Sequence, residues 1–236
     1  MEFNLKCSSG ETDGRRIMKR QFFAALAVIS AFTPFNAFAH HPLAGQAMDT
    51  FANGFLSGIG HPILGFDHLF FVALVGVAAL FTGRQYSSPA AYIAAMVIGC
   101  LMMSTGVGLP AKEFVIGFSL LMLGSVVLSG RAVNLAPALF IFAAFGLFHG
   151  SAFGDTLAGQ ESAVGTHVLI GYLIGLGVIQ YAISIAAGKM MATIFRATDA
   201  KAVEARLAGA LVAGIGLFLT MENIEGLLFS LMGWTS

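Results

Sequence analysis

Residues 61–81 read HPILGFDHLFFVALVGVAALF, and this stretch decides the fold class. It opens with His61, Asp67 and His68 and continues from Leu69 to Phe81 without a charge. With its flanks, such a run reaches the ~20 residues that a bilayer-spanning helix needs. Imidazole and carboxylate groups at a membrane entrance are expensive and mark function by default. They are also donor types that bind divalent transition metals.

The rest of the chain agrees with a membrane setting. Of its 236 residues, 57% are hydrophobic and 10% charged, against about 25% charged in soluble domains. The 29 glycines suit closely packed membrane helices. Cys7 and Cys100 form no disulfide framework, and a net charge of zero gives no reason to expect nucleic acid as a partner.

Residues 1–17 are polar and read as an upstream or non-native leader, with Met18 as the expected start. Residues 18–39 read as a signal peptide. Lys19 and Arg20 supply the basic region, Phe22 to Phe32 the apolar one, and Asn36-Ala37-Phe38-Ala39 the cleavage site. The mature chain then begins at His40; the alternative is an uncleaved anchor from Phe22 to Ala39.

Residues 40–236 are expected to form one transmembrane domain. The predicted fold is an all-α membrane protein, a bundle of six transmembrane helices at about 62–82, 89–109, 113–129, 134–150, 164–188 and 205–231. Pro62 is predicted to begin the first helix. Residues 44–60 read as an amphipathic lead-in, with Gly54 and Gly58 at the spacing of helix contacts. With the mature N-terminus outside, Arg84, Arg131, Lys189, Arg196, Lys201 and Arg206 fall inside and only Lys112 outside, a positive-inside pattern. This predicts a multi-pass protein of the inner (cytoplasmic) membrane with a periplasmic N-terminus.

That orientation puts all six histidines, His40 and His41 included, near one face. A continuous helix would place His61 and His68, seven residues apart, about 20° apart around its axis. Asp67 would then be a direct ligand or would hold an imidazole. His149 stands at the outer end of the fourth span, where it reads as a ligand or as a polar cap, with Asp155 and Glu161 following. Gly150 and Gly154 permit close approach or a bend. His167 opens the fifth span as ligand or interface residue, and Gly171 and Gly175 read as helix contacts. Glu222 either faces the bundle within the membrane or lies beyond a span ending near Thr220. The expected metal set is thus His61, Asp67, His68, His149, His167, Asp155 and Glu222. Met96, Met102, Met103 and Met122 read as packing. H-E-x-x-H, Walker A and G-x-S-x-G motifs are absent from the sequence, and no enzyme activity is expected.

At these residues the chain resembles the HupE/UreJ family of nickel and cobalt membrane transporters. The resemblance rests on His61, five residues, then Asp67-His68 and an apolar span, and on Phe148-His149-Gly150 followed by Ala152 and Gly154. The layout of signal peptide, His-initiated mature terminus and six spans is also similar, and the match covers about residues 40–231. The family often carries a further His where this chain has Phe153, and Asp155 matches its acidic position loosely. The resemblance implies uptake of Ni²⁺ or Co²⁺ for metalloenzymes such as hydrogenase, urease or cobalamin-dependent systems. It gives capture to His61, Asp67 and His68, and inward movement to His149. No permanently bound cofactor is implied; the partners are the transported Ni²⁺ or Co²⁺ and the lipid bilayer, with a homo-oligomer left open. Two rivals remain: a haem-binding electron carrier with His61 or His68 and His149 as axial ligands, and a protein that binds metal without moving it.

Overall fold

A computed structural model describes residues 48–158 and 165–234. The signal-type segment 18–39, the leader 1–17, His40, His41 and Glu161 lie outside the described residues. Seven helices are described: α1 (Phe51–Leu64), α2 (Phe66–Leu80), α3 (Ser88–Ser104), α4 (Lys112–Leu128), α5 (Leu135–Ala158), α6 (Thr166–Thr193) and α7 (Val203–Leu231). No strand occurs among the described residues.

Glycines set the packing. In α1 and α6 they interlock at a four-residue spacing: a Cβ on Gly54 or Gly58 would overlap the carbonyls of Val168 or Tyr172, and one on Gly171 or Gly175 those of Phe51 or Phe55. Gly54, Gly58, Gly171 and Gly175 are thus helix contacts, as expected, and the structure pairs them with one another. Gly99 and Gly150 bring α3 against α5 in the same way, as Gly124 and Gly209 do for α4 and α7. Between lipid-like surfaces there is little hydrophobic drive, so close backbone approach and dispersion carry association. The central element is α2, which touches every other described helix. Its Phe71, Val72, Val75 and Ala79 are completely buried.

Three helices, α5, α6 and α7, are long and apolar enough to cross a membrane, and the bent pair α1–α2 makes a fourth candidate. Helices α3 and α4 have 17 residues each, about 26 Å at 1.5 Å per residue, a little short of a ~30 Å hydrocarbon core.

The start of the first expected span is corrected. Pro62 does not begin a helix; it lies inside α1, whose last turn runs on to Leu64. The break falls at Gly65, extended at φ −84°, ψ 97°, where the chain turns by 83° into α2. A side chain at Gly65 would press on the His68 ring at 3.0 Å and on Asp67 Oδ1 at 3.3 Å. The expected lead-in is α1 itself, held to α6 by its glycines. The fourth span is also longer than expected, since α5 continues to Ala158 and leaves His149 well within the helix.

The basic residues gather at one end. Arg131 and Lys201 share a pocket with Leu80 and Phe81 at the end of α2. Arg206 Nε donates to the Leu128 carbonyl (3.0 Å). Lys189 lies over the Tyr86 ring, its Nζ 5.8 Å from the centroid. Lys112 is at the opposite end with Asp155, their charged groups 2.6 Å apart.

Candidate metal centre

The bend at Gly65 builds the site. His61 comes from the last turn of α1, and Asp67 and His68 from the first turn of α2. They do not share one helical face, as a continuous helix would require; they converge across the bend, with the imidazole centroids 6.2 Å apart. Asp67 Oδ1 accepts the His68 backbone N–H (2.9 Å) at the start of α2, where the helix dipole favours a carboxylate. Asp67 Oδ2 lies 3.9 Å from His68 Nε2.

His149 reaches the same place from α5. It is completely buried, and its Nδ1 lies 2.8 Å from Nδ1 of His68. Phe71 stacks on its ring with centroids 4.3 Å apart. The polar-cap alternative for His149 therefore does not hold: nine-residue continuation of α5 and full burial place it inside the bundle.

Proton counting assigns the tautomers of neutral imidazoles here. Ser119 Oγ–H donates to the Ile116 carbonyl (2.7 Å). A hydroxyl has one proton, so the same oxygen accepts from His149 Nε2–H (2.9 Å). His149 then carries its lone pair on Nδ1 and accepts from His68 Nδ1–H. His68 Nε2 is left facing Asp67 Oδ2. A second chain treats His61 alike. Tyr172 O–H donates to the Phe153 carbonyl (3.0 Å) and accepts from His61 Nδ1–H (3.1 Å). Ser119 and Tyr172 are thus the hydroxyl partners of His149 and His61.

Phe153 lies among these rings, its centroid 4.2 Å from His68 and 5.1 Å from His61. Among the described residues, no three His, Cys, Asp or Glu side chains form a ready-made metal cage.

The remaining sequence candidates lie elsewhere. Asp155 is exposed and paired with Lys112. His167 is exposed, and its Nε2–H donates to the Asp49 carbonyl (3.0 Å). Glu222 is exposed on α7, which runs on to Leu231 rather than ending near Thr220. Neither alternative for Glu222, a bundle-facing carboxylate or a residue past the helix end, describes its position. Sequence reasoning missed Tyr172 and Ser119, whose only signal is a hydroxyl in an apolar helix.

Comparison with known proteins agrees with the motif. The family model described as HupE / UreJ protein matches residues 26–219. The chain belongs to the HupE/UreJ family. Protein HupE of Rhizobium leguminosarum bv. viciae is 30% identical over 170 residues, covering 71% of this chain and 85% of that protein. No solved structure matches the chain. HupE/UreJ proteins are a nickel/cobalt permease-type family, a transporter class rather than an enzyme class. The matched segment contains His61, Asp67, His68 and His149 together with their partners Ser119 and Tyr172.

Proposed function

We propose that this chain imports Ni²⁺ or Co²⁺ across the cytoplasmic membrane, capturing the ion with His61, Asp67 and His68 and passing it inward by His149. The observation that carries this reading is the convergence of His61, Asp67 and His68 across the bend at Gly65, with His149 in hydrogen-bond contact with His68. Two imidazoles and one carboxylate suit borderline cations, whereas Mg²⁺ prefers all-oxygen ligands and keeps its waters. Intrinsic affinity would favour Cu²⁺, so selection comes from geometry and supply.

In this reading α2 to α7 are the six spans, the histidine end is periplasmic and the basic end cytoplasmic. The membrane potential is a sufficient driving force, since two charges crossing about 100 mV gain about 4.6 kcal/mol. The histidine pairing also weighs against the haem reading. Axial ligands stand on opposite faces of a porphyrin, whereas His68 and His149 bond each other at 2.8 Å.

The test is uptake of radiolabelled Ni²⁺ and Co²⁺ by cells expressing the chain, against an empty vector. Accumulation above the vector supports import; none, with the protein in the membrane, contradicts it. A Soret band in the purified protein would establish the haem alternative.

Two variants probe the surroundings. Tyr172→Phe removes the hydroxyl that bonds His61 Nδ1. Loss of such an orienting partner weakens metal affinity by about 10–100-fold. The half-saturating Ni²⁺ concentration should rise about tenfold or more, with the membrane level of the protein unchanged on a blot. Asp155→Asn breaks an exposed ion pair with Lys112, worth about 0–1 kcal/mol. Its uptake should stay within about twofold of wild type; a collapse of uptake would place Asp155 in the transport machinery.

A further inference from the structure

Helices α6 and α7 both pack against α2 and leave an apolar groove of about 420 Å³ between them. Its floor is Leu74 and Val77 of α2, Met191 of α6 and Val212 of α7, all buried. Leu207 and Leu211 of α7 stand at its rim, 62% and 60% exposed, so the groove opens outward from the bundle. In a bilayer that side meets lipid. From Glu204 to Val212 the groove runs along α7, a length of about 12 Å and most of the ~15 Å depth of one hydrocarbon leaflet.

At the basic end the groove continues into a polar pocket of about 540 Å³. Val77 in the groove is followed one turn later by Leu80 and Phe81 in the pocket, and Glu204 in the groove stands one turn after Lys201 in the pocket. Arg131 and Lys201 line this pocket and are exposed. Arg206 passes beside it, its Cδ 3.2 Å from where a Cβ on Gly130 would lie. Asp199 brings a carboxylate to the pocket, and its Oδ1 accepts the Lys201 backbone N–H (2.8 Å). Across the whole basic end, Arg84, Arg131, Lys189, Arg196, Lys201 and Arg206 face only Asp199 and Glu204 as counter-charges. Among the described residues the ion pairs are Asp67 with His68 and Asp155 with Lys112, so no carboxylate neutralises those cations by contact.

We propose that groove and pocket together hold one anionic phospholipid of the leaflet at the basic end, with an acyl chain lying between α6 and α7 and the phosphate meeting Arg131 and Lys201. This rests on the membrane setting and not on ion import. A free anion would use only the pocket and an apolar ligand only the groove; an amphiphile with an anionic head uses both. Basic pockets between membrane helices take phospholipid headgroups in this way. The seated chain packs along Phe70 to Val77 of α2, the helix whose other end carries Asp67 and His68.

The test follows thermal unfolding of the purified, delipidated full chain in a non-ionic detergent. Saturating dioleoylphosphatidylglycerol should raise the midpoint by about 5 °C or more. Dioleoylphosphatidylcholine has the same tails and no net charge, and should raise it far less. Arg131→Gln with Lys201→Gln should abolish the difference between the two lipids. Arg84→Gln with Lys189→Gln removes the same charge from the same end, outside the pocket, and should leave the difference intact. Ala208→Phe, which fills the groove from α7, should abolish the phosphatidylglycerol shift with the pocket's cations still present. Equal shifts with both lipids, or equal losses in the two charge-removing variants, would overturn the site and leave a generally basic surface. The same shift with inorganic phosphate alone would make the occupant a free anion. A midpoint that rises with protein concentration but not with lipid would give the groove to a second copy of the chain.

Discussion

Replacing His68 with alanine should reduce Ni²⁺ and Co²⁺ uptake to the level of cells without the protein, while the chain still reaches the membrane. His68 stands where both functions of the site meet. Its Nε2 faces Asp67 at 3.9 Å, and its Nδ1–H is the donor to His149. Alanine removes one of two imidazoles at the mouth and the link to the next histidine. It also leaves His149 Nδ1 buried without its donor, which costs about 1–3 kcal/mol. A second variant separates that structural loss from the chemical one. His68→Gln keeps a side chain of similar length and an amide N–H for His149 but lacks the imidazole. Both variants should be present at normal level on a membrane blot, and both should be inactive. Normal uptake by His68→Gln would show that the imidazole is not a ligand.

The second large effect is expected at a residue with no polar chemistry. Gly150→Ala adds a Cβ that would overlap the Met96 carbonyl of α3. The obstacle is backbone, so relief requires the helices to move apart. Overpacking of this kind costs about 1–3 kcal/mol. Here the shift also carries His149, the neighbouring residue, away from His68. Gly214 on α7 is the matched control: nothing lies within 4 Å of an added Cβ. Gly214→Ala should be neutral or stabilising by up to about 1 kcal/mol, the ordinary helix preference for alanine. Melting of the two variants in detergent checks the opposite signs. A Gly150→Ala protein as stable and active as wild type would show that α3 and α5 tolerate separation at the site.

What could be read in advance follows from how local each cause is. The contacts of Gly54 and Gly58 with α6 were legible because small residues four apart mark one helix face. The grouping of basic residues at one end was legible because it depends on loop order alone. His61, Asp67 and His68 were legible as a cluster, but their arrangement was not. Proline at position 62 has the local signature of a helix start, and nothing in its neighbours reveals that α1 is extended past it by packing on α6. The bend at Gly65 answers to the His68 and Asp67 side chains folded over it. His149 looked terminal because the apolar run stops at Gly150. The helix continues with Ser151 and Asp155 both paired: Ser151 Oγ accepts the Leu109 N–H (3.1 Å) and Asp155 meets Lys112. Ser119 and Tyr172 were invisible, since a lone hydroxyl in an apolar helix carries no sign of a partner on another helix.

The most direct measurement is Ni²⁺ accumulation by sealed lipid vesicles that contain only the purified chain, oriented with the histidine end outward and held at an inside-negative potential. The expected result is uptake that follows the potential, saturates with Ni²⁺ and is absent with His68→Gln. Ni²⁺ bound at the vesicle surface, with none accumulating inside at any potential, would contradict import and leave a membrane protein that holds the ion without moving it.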